Sequence, residues 1–416
     1  MRFTGFLRIY SVGAVLVLTI TSAWCANYKT LYSFGSKSSK PSSGLITDEA
    51  GNGYGATSAG GYNDAGTVYE LSPKTGYHLV YAFRKNGSGE AGGYFPQGNL
   101  ILDSAGNLYG TTIYGGITNS QFPNGAGVVF KLTPTGNGQP WTESVLYTFC
   151  SQANCSDGAN PQAGVIFDSS GNLYGTTRNG GGMNCGPIGC GTVFELQPSQ
   201  ANWTGSVIYT FMGSGADGGN PVGSLVFDGE GNLYGTSPAF WVFRLSPSNG
   251  GWVFTVIYQF GRDGDGADPM AGLIFDSAGD LYGTTAEGGE FGLGTVFELI
   301  PNLGSWTEII LHSFAGGTDG AEPQSNLAID SSGNLYGTTL FGGEITKACL
   351  GSGCGTVFRL SPFEGQWSES LFRFPTNGSL GAEPATPVAI DVTGRVYGTT
   401  TLGGQTGNGV AFRITP

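Results

Sequence analysis

Gly171-Asn172-Leu173-Tyr174-Gly175-Thr176-Thr177 is the clearest copy of a phrase that the chain contains seven times, the others centring on Tyr54, Tyr109, Tyr234, Tyr282, Tyr336 and Tyr397. An Asp stands three residues before the first Gly of each copy: Asp48, Asp103, Asp168, Asp228, Asp276, Asp330 and Asp391. Self-similarity at a period of 48 to 65 residues marks a repeat architecture. Around the phrase lie four strand-like runs. In the third copy they are Gly164–Asp168, Asn172–Thr177, Gly191–Leu196 and Trp203–Phe211, designated A, B, C and D. β-Branched and aromatic residues fill them, and Gly, Asp, Asn, Pro and Ser separate them. Helical periodicity is missing from the mature chain. Four antiparallel strands per unit, repeated seven times, predict an all-β, seven-bladed β-propeller.

The two ends support this reading. The last copy stops at Gly409–Ile414, a C strand with no D strand after it. Residues 28–34, Tyr-Lys-Thr-Leu-Tyr-Ser-Phe, resemble D strands such as Val145–Phe149 and precede every A strand. Residues 28–34 are therefore expected to complete the last blade and close the ring, leaving no long edge there. The recurrent Asp is read as a turn residue, since Asp-x-x-Gly bonds its own backbone and Gly supplies positive φ. The competing reading, seven calcium or catalytic carboxylates, is set aside because the residue repeats with the scaffold.

Composition bounds the function. The 416 residues include 75 Gly, and the net charge of -13 argues against nucleic acid as a partner. Residues 1–26 read as a signal peptide: Arg2 and Arg8 precede an apolar run from Val12 to Ile20 that is too short to span a bilayer. A lipid anchor at Cys25 fits less well, because Trp24 precedes it. No second hydrophobic span follows, so residues 27–416 are expected as one exported domain, periplasmic or extracellular and monomeric. The six remaining Cys form three close pairs, Cys150/Cys155, Cys185/Cys190 and Cys349/Cys354, and three short disulfides are expected from them. Metal binding by these Cys lacks partners, since His78 and His312 are the two His and neither is near a pair.

The units resemble the GloVer tandem-repeat family of bacterial exported proteins. In copy five the matching elements are Leu281–Thr285, Gly288-Gly289, Gly294–Leu299, Tyr258–Phe260 and Gly266–Pro269. The resemblance covers nearly all of residues 28–416. It implies a secreted or surface protein and implies no reaction and no catalytic residues. Members often carry a C-terminal anchor. Here Pro416 directly follows a strand, and release from the cell is expected.

Candidate sites are few. By analogy with other propellers, ligands are expected on the face of the B-to-C and D-to-A loops or in the central channel. The Thr pairs ending the B strands could bind sugar or satisfy strand-end backbone. Asp263, Asp265 and Asp268 place three carboxylates in one Gly-rich loop, which suits Ca²⁺ as the one cofactor suggested; Asp268 falls where an EF-hand requires Gly. In copy four the B-to-C loop shrinks to Pro238-Ala239-Phe240 before Trp241, so Phe240 and Trp241 either floor a ligand groove or fill the space left by the missing loop. With two His in the chain, a Ser/His/Asp triad or a zinc enzyme is not expected. The sequence favours a binding module for glycan or protein. A polysaccharide hydrolase or lyase and a structural envelope protein are the alternatives.

Overall fold

In the computed structural model the described residues are 22–23, 27–85, 92–136, 141–182, 185–200, 202–213, 217–238, 240–261, 264–343, 349, 351–375 and 377–416. They form seven antiparallel sheets arranged as a propeller, each with the order A-B-C-D. The B strands are Gly53–Ala59, Leu108–Gly115, Leu173–Thr177, Leu233–Ser237, Leu281–Thr285, Leu335–Thr339 and Val396–Thr400. The last blade takes its D strand from the other end of the chain. Asn27–Ser33 runs antiparallel to Val410–Thr415, with Tyr28 opposite Ile414 and Ser33 opposite Val410. Ser22–Ala23 adds a short parallel strand beside Ser370–Leu371 of blade six. The other residues of 1–26, including Cys25, lie outside the described residues. Among the described residues no helix is long and apolar enough to cross a membrane.

Each residue of the repeated phrase has one physical task. Leu is buried. Tyr wedges between blades: Tyr234 packs edge-on against Phe275 at 5.1 Å and Trp306 at 6.0 Å, both in the next blade. Its hydroxyl donates to the turn Asp of its own blade, as Tyr174 does to Oδ2 of Asp168 at 3.3 Å. Asn172 adds its backbone N–H to Oδ1 and its amide to Oδ2 of the same Asp. Gly seats the aromatic ring of strand C, so a Cβ at Gly175 would lie 2.6 Å from Cζ of Phe194. The first Thr reaches the neighbouring blade: Thr111 donates to the carbonyl of Ala163, Thr236 to that of Ala271, and Thr399 to that of Ser43. The second Thr turns back on its own B-to-C loop, as Thr177 does to the carbonyl of Asn179.

The A strands pair over shorter spans than their sequence suggests. In blade three the ladder covers Ile166–Phe167 alone. The residues just before it face the preceding blade instead, where a Cβ on Gly164 would meet the Asn99 carbonyl at 2.2 Å. Backbone thus packs on backbone around the axis. The core lies between blades. Seven aromatic pairs link the end of each D strand to the next C strand: Phe83–Phe130, Phe149–Phe194, Phe211–Phe243, Phe260–Phe297, Phe314–Phe358, Phe374–Phe412 and Phe34–Tyr69. Their centroids are 4.9 to 5.5 Å apart, an edge-to-face spacing that adds to simple burial. Phe374–Phe412 and Phe34–Tyr69 fasten the closing blade on both sides.

Candidate functional site

The D-to-A crossings carry the chain from rim to axis on the B-to-C loop face. Each contains one residue with positive φ followed by Pro: Lys40, Phe95, Asn160, Asn220, Asp268, Glu322 and Glu383, with φ between 53° and 64°. Six of these seven residues donate their backbone N–H to a B-to-C loop of the preceding blade, for example Phe95 to Ala65 O at 2.8 Å and Glu322 to Leu293 O at 2.9 Å. The left-handed conformation costs a non-Gly residue about 1–2 kcal/mol. Gly would adopt it freely, yet none of the seven is Gly. The backbone is the same in every blade while the side chains differ.

These side chains give the mouth of the channel two unlike sides. Blades five to seven contribute Asp268, Glu322 and Glu383, all half-buried. Burial and the nearby Glu287 raise the Asp268 carboxyl above its ordinary range, and burial raises that of Glu383. Blade two contributes an aromatic shelf, where Phe95 and Tyr114 lie 5.7 Å apart and Tyr114 and Tyr94 5.5 Å apart. Three residues after each of the seven left-handed positions stand Ser43, Gly98, Ala163, Gly223, Ala271, Ser325 and Thr386, six of them buried. Most hydroxyls of the Thr pairs are engaged, as described above, whereas Oγ1 of Thr176 is buried without a partner.

The structure places the residues singled out from sequence as follows. Trp241 is buried and stands against Gly218, where a Cβ would lie 2.5 Å from its Cδ1. Phe240 is 44% exposed, with φ 77°. The two are adjacent, but they do not present two open faces to one groove. Asp265 is buried; its Oδ1 accepts from Gly266 N at 2.8 Å and its Oδ2 from Gly261 N at 3.2 Å and Tyr258 OH at 3.3 Å. Asp268 belongs to the mouth, and Asp263 lies outside the described residues. Disulfides join Cys150 to Cys155, Cys185 to Cys190 and Cys349 to Cys354. On the opposite face a cleft of about 690 Å³ opens between blades four and five, lined by turn residues with Arg244, Leu303 and Trp306. Its Asp228 carboxylate is committed to the A-to-B turn, accepting from Asn232 and Tyr234.

A second cluster escaped the sequence reading. Among the described residues, one group of three His, Cys, Asp or Glu side chains brings its ligand atoms within 4.8 Å of one another: His312, Asp319 and Glu369. It belongs to a belt of contacts between neighbouring D strands. Tyr81 bonds Glu143 at 2.7 Å and Tyr258 bonds Glu308 at 2.8 Å. Tyr209 stacks on Phe254 at 4.1 Å, Tyr32 on Tyr77 at 4.1 Å and Tyr28 on Phe372 at 4.9 Å. Between blades five and six the Tyr is replaced by His312. Its Nε2 lies 3.3 Å from Oδ2 of Asp319 and 3.4 Å from Oε1 of Glu369. Burial and the Asp319 charge push the Glu369 carboxyl far above the carboxylate range. Burial works in the same direction on Asp319, but hydrogen bonding and charge from His312 bring it below its ordinary value. The signal was present: Leu311-His312-Ser313-Phe314 stands where other D strands read Leu-Tyr-Thr-Phe or Ile-Tyr-Gln-Phe, and Glu369 follows Trp367 by two residues, as Glu308 follows Trp306.

Comparison with known proteins agrees with the fold. A 6-phosphogluconolactonase of Bacteroides fragilis, provisionally assigned as such, superposes with a TM-score of 0.50 at 16% identity, covering 92% of this chain and 100% of its own. A counterpart from Bacteroides uniformis, also provisional, gives 0.48 at 15% identity over 90% and 100%. An oxidoreductase of Thermus thermophilus, provisionally a glucose dehydrogenase, gives 0.41 at 15% identity over 94% and 100%. At these identities the likeness is one of fold alone. No curated protein matches the sequence. The Gloeobacter/Verrucomicrobia repeat model matches residues 116–240 and 241–416. Those spans cover most of the propeller, and the chain belongs to the Gloeobacter/Verrucomicrobia repeat family.

Proposed function

We propose that this protein is an exported binding module, periplasmic or extracellular, that holds a neutral glycan at the mouth of its channel. One observation carries the reading. Seven equivalent positions share a costly left-handed backbone but carry Lys, Phe, Asn, Asn, Asp, Glu and Glu. A purely structural demand would repeat the side chain, and Gly would meet it at the least cost. Side chains kept there at a conformational cost, and varied from blade to blade, suit ligand recognition. Carboxylates on one side accept hydroxyl hydrogen bonds, and the Phe95/Tyr114 shelf on the other offers an apolar ring face. That pairing of polar and aromatic surface suits a sugar.

A glycan array probed with the purified mature protein tests this, followed by calorimetry on the strongest ligand. Glu322→Gln, Glu383→Gln and Phe95→Ala are each expected to weaken binding roughly tenfold, the effect of losing one charged hydrogen bond or one stacking face. Silence on every glycan, or affinity unchanged in all three variants, overturns the reading. Release of shortened product would identify a hydrolase or lyase instead.

A further inference from the structure

The geometry points to a zinc site between the outer strands of blades five and six, formed by Nε2 of His312 and one carboxylate oxygen each from Asp319 and Glu369. Three observations carry it. The two measured edges of the donor triangle, 3.3 and 3.4 Å, match the edges of a tetrahedron whose centre lies about 2.0–2.1 Å from each donor, the coordination geometry of Zn²⁺ with imidazole and carboxylate ligands. The Glu369 side chain is 6% exposed and, short of a proton shared with Asp319, neither of its oxygens has a hydrogen-bond partner. A buried carboxylate with no donor is costly, and a cation satisfies it. Finally, the sister cluster of Tyr258, Asp265 and Glu308 shows what the same backbone does without a metal ligand. There a phenol bridges both carboxylates, with its oxygen 2.8 Å from Glu308 Oε2 and 3.3 Å from Asp265 Oδ2. Replacing phenol by imidazole supplies a neutral nitrogen lone pair, the donor that a borderline cation prefers to oxygen alone. Two carboxylates, a neutral imidazole and Zn²⁺ sum to zero charge. This removes the repulsion between Asp319 and Glu369, which Arg373 offsets only in part. Water completes the tetrahedron. The ion would clamp blade five to blade six at the point where other blade pairs stack or bond directly.

The test uses the mature protein dialysed against chelator and titrated with Zn²⁺ by calorimetry, with thermal melting in parallel. One Zn²⁺ per chain and a rise in the melting midpoint are expected, with X-ray absorption reporting one nitrogen and two oxygen protein ligands. His312→Tyr rebuilds the arrangement around Tyr258 and is expected to fold normally. Glu369→Gln keeps the size of the side chain. Each is expected to weaken Zn²⁺ binding by more than about 100-fold, since even losing a residue that only hydrogen-bonds a metal ligand costs roughly 10–100-fold. Wild-type protein that folds and takes up no Zn²⁺ overturns the assignment, as does a folded His312→Tyr variant that retains one equivalent.

Discussion

Gly283 adopts an ordinary strand conformation, so its role is one of space. A Cβ there would meet Cζ of Phe297 at 2.5 Å and Cδ2 of Leu273 at 2.8 Å. Gly283→Ala is expected to destabilise the protein by about 1–3 kcal/mol through overpacking. Gly250→Ala is the control, because it has open space and no positive φ, and it should change stability by less than about 0.5 kcal/mol. Urea denaturation of both variants checks this, and equal midpoints would remove the ring-seat explanation. The turn Asp was legible in sequence because every partner is within six residues, as Asn172 and Tyr174 are for Asp168. The Gly was legible as a repeat but not as a seat, because Phe194 faces Gly175 only once strands B and C pair. Glu369 was not legible as part of a cluster. The repeat register marks His312 and Glu369 as counterparts of Tyr258 and Glu308, but that the two meet is set by the packing of neighbouring blades.

At the scale of elements, the D strands decide how blades grip each other at the rim. Six of the seven C–D pairs contain a register shift, with one extra residue on the D strand opposite the Val-Phe or equivalent step. Such bulges bend and twist the edge. Blade six pairs without a shift, and its D strand is one residue shorter from Trp367 to Phe372 than from Trp203 to Tyr209. The Tyr81–Glu143 contact isolates the electrostatics of the belt. Burial raises the Glu143 carboxyl, and the Tyr81 phenol bond brings it part of the way back. A carboxyl raised in the folded state stabilises most below its unfolded value and loses that contribution as pH rises through the folded one. Tyr81→Phe removes the donor and raises the folded value further. The variant should therefore lose about 1–3 kcal/mol at pH 7, where the carboxylate is left without its donor, and less at pH 4, where the carboxyl carries its own proton. Denaturation curves at the two pH values test the sign. An equal or larger loss at pH 4 would mean that the phenol acts by packing alone.

At the scale of the whole molecule, the ring exists because the two ends of the chain share one sheet. This was the part of the fold most fully legible from sequence: a final unit lacking D and an initial D-like run are complementary omissions, and only closure resolves both. The depth of the joint appears only in the structure. Tyr28 stacks on Phe372 of blade six and Tyr32 on Tyr77 of blade one, and fully buried Phe34 packs edge-on against Tyr69. Residues 27–34 thus bind three blades, and their loss opens an unpaired edge along Val410–Thr415 while uncovering cores on both sides. A chain beginning at Gly35 should lose roughly 5 kcal/mol or more, because burying Phe34 alone is worth about 3–5 kcal/mol by the usual Phe→Ala scale. If the strand acts by closing the ring, a synthetic peptide of residues 27–34 added in trans should raise the melting midpoint of the shortened chain in a concentration-dependent way, as any ligand of the folded state does. A scrambled peptide should not. An unchanged melting curve on truncation would show that the remaining strands of blade seven hold without their partner, and a truncated chain indifferent to the peptide would place the loss in folding rather than in closure.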